Sequence, residues 1–163
     1  MNHTVKHLSI AALVLLSLSA CGVAPIDEES DGELTDEAAA ELSGGPWTWV
    51  NTATMRCLDS DGSGAVYTLD CNGGAYQNWT NTPRRFGDQI RNQATGMCLD
   101  SNLYNSVYTQ TCNGGNFQQW DVVYMGVYGW QIKNVATGYC LDSDGSGYVY
   151  TLDCNNGNFQ RWH

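Results

Sequence analysis

The sequence predicts an all-β fold in which three copies of one unit share a single core. Residues 48–79, 89–120 and 131–162 align without a gap, and the first and third copies share 21 identities. The copies are rich in Val, Tyr, Thr and Trp, and Gly, Asn and Asp interrupt them at short intervals. β-Branched and aromatic residues favour strands, and a unit of this length cannot bury a core alone.

The first 20 residues have the pattern of an export signal. Lys6 precedes an apolar run over residues 8–20, which is too short to span a bilayer as a helix. The run ends in L-S-A-C, which resembles the lipobox of bacterial lipoproteins, where the cysteine is lipidated and becomes the first mature residue. We therefore expect Cys21 to anchor the exported protein in the cell envelope. Secretion from an ordinary signal peptide is the alternative.

Residues 21–45 are expected to form a disordered acidic tether. They contain eight acidic residues, no basic residue and no aromatic residue, so they cannot bury enough apolar surface to fold. The tether carries most of the net charge of −10. Residues 46–163 hold nine Asp, no Glu, five Arg and one Lys, which is a net charge of −3. A mildly acidic domain argues against nucleic acid as a partner.

The domain is expected to span residues 46–163, with repeats at 46–87, 88–129 and 130–163. Each repeat carries N-x-A-T, C-L-D-S, V-Y-T, C-N and Q-x-W in that order. A solenoid would expose strand edges and need capping repeats, whereas these copies are nearly equal. A closed threefold barrel is therefore predicted.

Six cysteines remain in the domain once Cys21 is set aside. The two cysteines of each repeat are always 14 residues apart, which predicts disulfides within each repeat: Cys57–Cys71, Cys98–Cys112 and Cys140–Cys154. A zinc site is disfavoured because His163 is the domain's single histidine and no C-x-x-C pair occurs. No metal or other cofactor is expected.

The V-Y-T segments alternate in the way that a half-buried strand requires. The valine is expected to point inward, which turns Tyr67, Tyr108 and Tyr150 outward. The Q-x-W tryptophans, Trp79, Trp120 and Trp162, are assigned to the core because of their size.

Three Q-x-W motifs in register with three C-L-D-S motifs resemble the ricin-B-type β-trefoil lectins. The longer pattern C-L-D-S, V-Y-T and C-N-G-G-N-F-Q-x-W is similar to actinohivin-type bacterial lectins, which bind mannose. The resemblance covers residues 46–163. It implies a β-trefoil that binds glycans, with an Asp, an Asn and two aromatic residues lining each pocket.

Each repeat offers a carboxylate, two aromatic rings and two amides, which are the groups that contact sugar hydroxyls and ring faces. The candidate sugar-binding residues are Asp59, Tyr67, Asn72, Tyr76 and Gln77 in repeat one, Asp100, Tyr108, Asn113, Phe117 and Gln118 in repeat two, and Asp142, Tyr150, Asn155, Phe159 and Gln160 in repeat three. The alternatives are that the Asp and Asn residues only form turns and that the glutamines only satisfy backbone groups.

Repeat two departs from the other two. Gln110 stands where the others have Leu69 and Leu152, and residues 102–105 read N-L-Y-N instead of D-G-S-G. The second site is therefore expected to be weaker or differently selective.

A calcium site and an enzyme are both disfavoured. Residues 59–70 mimic the spacing of an EF-hand loop, but no helices flank them and a disulfide is expected across them. The domain has no Glu, and its Asp residues belong to separate threefold-related sites rather than to one catalytic centre.

The function predicted is non-catalytic, multivalent capture of glycans by a monomeric domain at an extracytoplasmic surface, with α-linked mannose as the first ligand. An accessory subunit for degradation of xylan or galactan is one alternative. A trefoil protease inhibitor or protein-interaction module is the other, for which the insert at 81–88 with its R-R pair would be the reactive loop.

Overall fold

The computed structural model describes residues 45–163. Within that range the chain forms ten β-strands and four single-turn 3₁₀ helices. The strands are β1 (Cys57–Ser60), β2 (Val66–Leu69), β3 (Trp79–Arg84), β4 (Gly87–Asn92), β5 (Cys98–Ser101), β6 (Val107–Gln110), β7 (Trp120–Tyr124), β8 (Trp130–Asn134), β9 (Cys140–Ser143) and β10 (Val149–Leu152). The 3₁₀ helices are Ala75–Gln77, Asn116–Gln118, Gly126–Tyr128 and Asn158–Gln160. The all-β prediction is confirmed.

Each repeat contributes one hairpin to a cap: β1–β2, β5–β6 and β9–β10, paired antiparallel in the same register. The predicted alternation is confirmed, because the Val and Thr of each V-Y-T segment are buried while the Tyr between them is partly exposed. The hairpins join one another through backbone hydrogen bonds of 2.8–3.0 Å, from Thr68 N to Gly147 O, Thr109 N to Gly64 O and Thr151 N to Asn105 O.

The remaining strands form a closed barrel below the cap. Strands β3–β4 and β7–β8 are antiparallel hairpins, and β4 also pairs with β7. The first and last segments close the ring, because Val50 and His163 exchange backbone hydrogen bonds of 2.8 and 2.9 Å. The predicted closed threefold arrangement, a β-trefoil, is therefore what the chain adopts.

One core serves all three repeats, as the short repeat requires. Twelve buried residues form it, four from equivalent positions of each repeat: Trp49, Leu58, Val66 and Trp79; Ile90, Leu99, Val107 and Trp120; and Ile132, Leu141, Val149 and Trp162. The Q-x-W tryptophans are fully buried, and each donates its indole N–H to the carbonyl of the leucine in C-L-D-S, at 3.0–3.2 Å. The assignment of these tryptophans to the core is confirmed.

The predicted disulfide pairing is confirmed. Cys57–Cys71, Cys98–Cys112 and Cys140–Cys154 each tie the start of a cap hairpin to the segment that follows its second strand. The signal at 1–20, Cys21 and all of the tether except Gly45 lie outside the described residues. Across residues 45–163, no helix has the length and apolar character needed to cross a bilayer.

Candidate functional site

The outward face of each cap hairpin carries the predicted carboxylate and tyrosine. In repeat one, Asp59 and Tyr67 lie directly opposite each other in the β1–β2 register. The inward face of the same hairpin is held by Leu58 and Val66 in the core. Because side chains alternate along a strand, core packing fixes where the carboxylate and the phenol stand.

The Asp59 carboxylate is held from beneath by Gln77. The 3₁₀ turn places Gln77 at zero exposure, and its Nε2 donates to Asp59 Oδ2 at 2.8 Å and to Asp70 O at 3.1 Å. Its Oε1 accepts from Asn72 N at 2.8 Å. Repeat three repeats this arrangement around Gln160, with 2.8 Å to Asp142 Oδ2.

The predicted glutamines lie beneath the surface that the predicted carboxylates and aromatic residues form. Gln77, Gln118 and Gln160 are fully buried, so a ligand cannot reach them in this conformation. The alternative given by the sequence, that they satisfy backbone groups, describes part of what they do. In repeats one and three they also orient the carboxylate.

The three predicted asparagines form turns and stay exposed. Asn72, Asn113 and Asn155 each accept a hydrogen bond from the backbone N–H two residues later, at 2.7–2.8 Å. This use of the side-chain oxygen is the turn role that the sequence left open. It leaves the side-chain NH₂ as the donor available to a ligand.

The aromatic residue that closes each site is positioned by the next repeat. The Asn that begins each N-x-A-T motif is buried, and its Oδ1 accepts from the backbone N–H groups two and three residues later. Its Nδ2 donates to a backbone carbonyl of the preceding repeat: Asn92 to Tyr76 O, Asn134 to Phe117 O and Asn51 to Phe159 O, at 2.7–2.8 Å. The motif thus locks both a turn and the site aromatic.

In repeat one these groups surround an open cleft of about 470 Å³. Asp59, Tyr67, Asn72 and Tyr76, four of the five predicted residues, line it together with Asp61. The volume lies within the range of small-ligand pockets. Burial raises the pKa of the Tyr67 hydroxyl, and the nearby carboxylates of Asp59 and Asp61 raise it further, so this hydroxyl stays a hydrogen-bond donor at neutral pH.

A second cleft of about 360 Å³ adjoins the first and was not foreseen from the sequence. Arg56, Leu69, Asp70, Asn72 and Ser146 line it, so Asn72 belongs to both clefts. Arg56 Nε lies 3.7 Å from Asp70 Oδ1, and its Nη1 donates to Gly145 O at 3.4 Å. Repeats two and three have Met97 and Tyr139 at the position of Arg56, which makes this cation particular to site one.

Repeat three brings Asp142, Tyr150 and the exposed Phe159 onto an equivalent surface. Burial raises the pKa of the Asp142 carboxyl, and the hydrogen bond from Gln160 opposes that shift. The Ser143 N–H and the Tyr150 hydroxyl oppose it as well. An additional aromatic residue, Tyr148, stacks on Tyr150 with ring centroids 5.7 Å apart, where repeats one and two have Ala65 and Ser106.

Repeat two is built differently around Asp100. Here Gln110 Nε2 donates to Asp100 Oδ2 at 2.5 Å, whereas Gln118 Nε2 donates only to Thr111 O, at 3.1 Å. Tyr108 Oη donates to Ser101 O at 3.5 Å. Phe117 is less exposed than Phe159 or Tyr76.

The aspartates of the D-G-S-G loops serve their own turns. Asp61 Oδ1 accepts from Ser63 N, Ser63 Oγ and Ala65 N at 2.7–3.0 Å, and Asp144 makes the same three bonds. The serine hydroxyl is the largest cause that lowers the pKa of each of these carboxyls. Across residues 45–163, no group of three or more His, Cys, Asp or Glu side chains is placed to hold a metal ion.

Residues 47–162 match the ricin-type β-trefoil lectin domain. The chain belongs to this lectin-domain family.

Solved structures share the fold of this lectin domain. The designed threefold-symmetric protein ThreeFoil is similar with a TM-score of 0.64 and 23% identity, over 71% of this chain and 94% of ThreeFoil. 1,3Gal43A, an exo-β-1,3-galactanase from Clostridium thermocellum, gives 0.67 and 21%, over 73% of this chain and 29% of the galactanase. The hemolytic lectin CEL-III gives 0.60 and 24%, over 74% and 30%. This chain thus spans under a third of the latter two proteins.

Proposed function

We propose that this protein is a non-catalytic lectin that captures glycans at repeated shallow sites on one rigid domain. The observation that carries the proposal is the cleft of repeat one, where an oriented carboxylate, two aromatic rings and an amide meet. A carboxylate accepts hydrogen bonds from neighbouring sugar hydroxyls, and an aromatic face packs on the C–H side of the ring.

α-Linked mannose is the first ligand to test. The support is the sequence pattern C-L-D-S, V-Y-T, C-N-G-G-N-F-Q-x-W, together with the clustering of its Asp, Asn and aromatic residues in the cleft. Galactan is the second ligand to test, because a similar fold occurs within a β-1,3-galactanase. Binding to galactan would indicate an accessory subunit for polysaccharide degradation.

The ligand of site one is proposed to be longer than one sugar. The side cleft shares Asn72 with the main cleft, so a glycan bound against Asp59 can extend a second residue toward Arg56. A guanidinium has five donors, and the contacts with Asp70 and Gly145 use few of them. The remaining donors suit the hydroxyls or a carboxylate of a second sugar.

The test is a glycan array probed with the disulfide-bonded protein and with the Asp59→Asn, Asp142→Asn double variant. Asn keeps the size of the buried side chain and an oxygen that can accept from Gln77 or Gln160. Binding to α-mannose glycans that the double variant loses supports the lectin proposal. Binding retained by the variant would place it at Asp100 of repeat two or elsewhere on the surface, and a folded protein that binds no glycan overturns the proposal.

A protease-inhibitor function gains no support from the insert at 81–88. It forms the tip of the regular β3–β4 hairpin, where Arg84 donates to Gln89 Oε1 at 3.1 Å and Arg85 lies over the Phe86 ring at 5.0 Å. These contacts stay within the hairpin, whose tip is the two-residue turn of Arg85 and Phe86.

Display on the cell envelope through a lipid on Cys21 completes the proposal, since many copies on one surface would multiply weak single-site binding. The domain itself is proposed to be monomeric. Metabolic labelling with palmitate should mark the wild type and not a Cys21→Ser variant, and the variant should leave the membrane fraction. Unchanged fractionation of the variant would favour simple secretion or another anchor.

A further inference from the structure

We infer that Gln110 closes the sugar site of repeat two, so that the domain binds glycans at two sites rather than three. This inference rests on the proposed lectin function. The three repeats present similar surfaces, but one residue beside the site differs in repeat two. Gln110 ends strand β6 at the position where β2 and β10 end in Leu69 and Leu152, both exposed beside their sites.

The amide of Gln110 reaches the carboxylate that the site needs. In the β5–β6 register, Asp100 is opposite Tyr108 and Cys98 is opposite Gln110, so Gln110 is a diagonal neighbour of Asp100 on the same outward face. The result is the hydrogen bond from Gln110 Nε2 to Asp100 Oδ2, at 2.5 Å. Its acceptor is a carboxylate oxygen, and hydrogen bonds to carboxylates are among the stronger ones in proteins.

The hydrogen bond that holds the aspartate from the core side also differs in repeat two. In repeats one and three the buried glutamine donates to Oδ2 of the aspartate from the core side, at 2.8 Å in each case. In repeat two Gln118 makes no such bond and donates to the Thr111 carbonyl alone. The carboxylate of Asp100 is therefore held by a side chain on the ligand side of the site.

A sugar hydroxyl entering site two must displace Gln110 from Asp100. Breaking a hydrogen bond to a charged group, without a new partner for the amide, weakens binding by about tenfold to a hundredfold. Asn102 reinforces the difference, because it replaces Asp61 and removes a carboxylate from this loop while keeping the same turn, with bonds from Tyr104 N and Ser106 N at 2.8 and 3.1 Å.

The test counts sites in four proteins by calorimetric titration with methyl α-mannoside and, separately, methyl β-galactoside. The wild type should bind at two sites, and Gln110→Leu should bind at three. In the Asp59→Asn, Asp142→Asn background, where only site two remains, binding should be undetectable with Gln110 and present after Gln110→Leu.

Leu69→Gln provides the reciprocal variant, and it should lose one site from the wild type. Gln110 and Leu69 are exposed, so circular dichroism should show the wild-type fold in both variants. Gln110→Leu should lower the melting temperature, because it removes a partner of the buried Asp100 carboxylate.

Three equal sites in the wild type, or no gain of a site in Gln110→Leu, would overturn the inference while leaving the lectin function intact. Weaker binding at site two after Gln110→Leu would show that the amide is itself a sugar contact. A wild type that binds neither glycoside at any site would fail the lectin proposal, and this inference with it.

Discussion

Gln77 donates from Nε2 to Asp59 Oδ2 at 2.8 Å, and two residues later Trp79 donates its indole N–H to Leu58 O at 3.0 Å. One Q-x-W motif thus reaches two adjacent residues of the same C-L-D-S strand, one for the site and one for the core. A single three-residue motif couples barrel packing to carboxylate orientation. Repeat three makes both bonds, whereas repeat two makes only the bond from the tryptophan.

Replacing Gln77 by Leu should weaken both the fold and site one. The substitution leaves Asp59 Oδ2, the Asp70 carbonyl and the Asn72 N–H without their buried partner, and unsatisfied buried groups cost about 1–3 kcal/mol. We expect a loss of that size in the free energy of unfolding, measured in urea. We also expect glycan affinity at site one to fall about tenfold, since an unheld carboxylate loses its fixed orientation.

Gln118→Leu is the matched control for that variant. Gln118 bonds the Thr111 carbonyl and the Asn113 N–H but makes no bond to Asp100. It should lower the free energy of unfolding by a comparable amount without changing binding at sites one and three. An equal loss of glycan affinity in both variants would show that the glutamine acts through general stability and not through the carboxylate.

Glycan binding at site three should be lost in mild acid. Burial raises the pKa of Asp142 above its ordinary value of 3.8, and only the ionised form accepts hydrogen bonds through both oxygens. In an Asp59→Asn protein, affinity should begin to fall above pH 3.8 as the pH is lowered. Titrations between pH 3.5 and 7 would measure this, and binding that stays constant down to pH 3.5 would contradict it.

As the pH rises, the Asp142 carboxyl should favour glycan binding but contribute less to the stability of the fold. Because its folded pKa is raised, the contribution of Asp142 to the free energy of unfolding is fully present below pH 3.8 and is lost as the pH rises through the folded pKa. Asp61 and Asp144 have lowered pKa values, so their contributions are present above pH 3.8 and are lost as the pH falls. Subtracting the urea-unfolding curve of Asp142→Asn isolates Asp142, and that difference should decline from pH 3 to pH 6.

Removal of the disulfide Cys57–Cys71 should destabilise the domain and impair site one in particular. A cross-link that closes a loop of this length stabilises by about 3 kcal/mol, chiefly through the unfolded chain. Asn72 follows Cys71 directly and belongs to the cleft of repeat one. The Cys57→Ala, Cys71→Ala variant should lose that stability and bind glycan more weakly at site one. The Cys140→Ala, Cys154→Ala variant should instead bind more weakly at site three. Urea unfolding and site-resolved titration would distinguish the two.

Replacing Arg56 by Met, the residue that repeat two carries at this position, tests the extended ligand of site one. Arg56 lines the side cleft but not the main cleft, so monosaccharide affinity should stay unchanged. Affinity for a disaccharide of the same sugar should fall by about threefold to tenfold, the effect of one lost polar contact. Equal affinities of wild type and variant for the disaccharide would exclude Arg56 as a contact.

Most of this architecture could be predicted from the sequence because the motifs that determine it are short and occur in all three repeats. The fixed separation of Cys57 and Cys71, the alternation in V-Y-T and the Q-x-W tryptophans each required only short-range reasoning, and each is confirmed. The direction of an amide is harder to predict. Gln110 could face solvent or Asp100, and which it does depends on the diagonal placement of the two residues across paired strands. The sequence does not show that placement.

The side cleft could not be predicted from the sequence for a related reason. Arg56 and Ser146 are 90 positions apart and come together only where the hairpins of repeats one and three meet. A comparison of the repeats position by position shows that all three differ at the positions of Arg56 and Tyr148, and that signal is present in the sequence. It identifies unusual residues without showing what lies beside them.

Gly64, in the loop that borders site one, lies at the junction of the three cap hairpins, and Gly147 makes the corresponding close approach in repeat three. Gly64 has φ of +94°, and a Cβ added there would lie 2.5 Å from the Thr109 carbonyl oxygen of the neighbouring repeat. Gly64→Ala must strain the backbone and separate the hairpins, so we expect it to lower the free energy of unfolding by more than about 1 kcal/mol. Gly62→Ala is the control in the same loop, because nothing lies within 4 Å of its added Cβ. Urea unfolding should leave Gly62→Ala close to the wild type, and a similar loss in both variants would mean that loop flexibility, not the contact between hairpins, accounts for the effect.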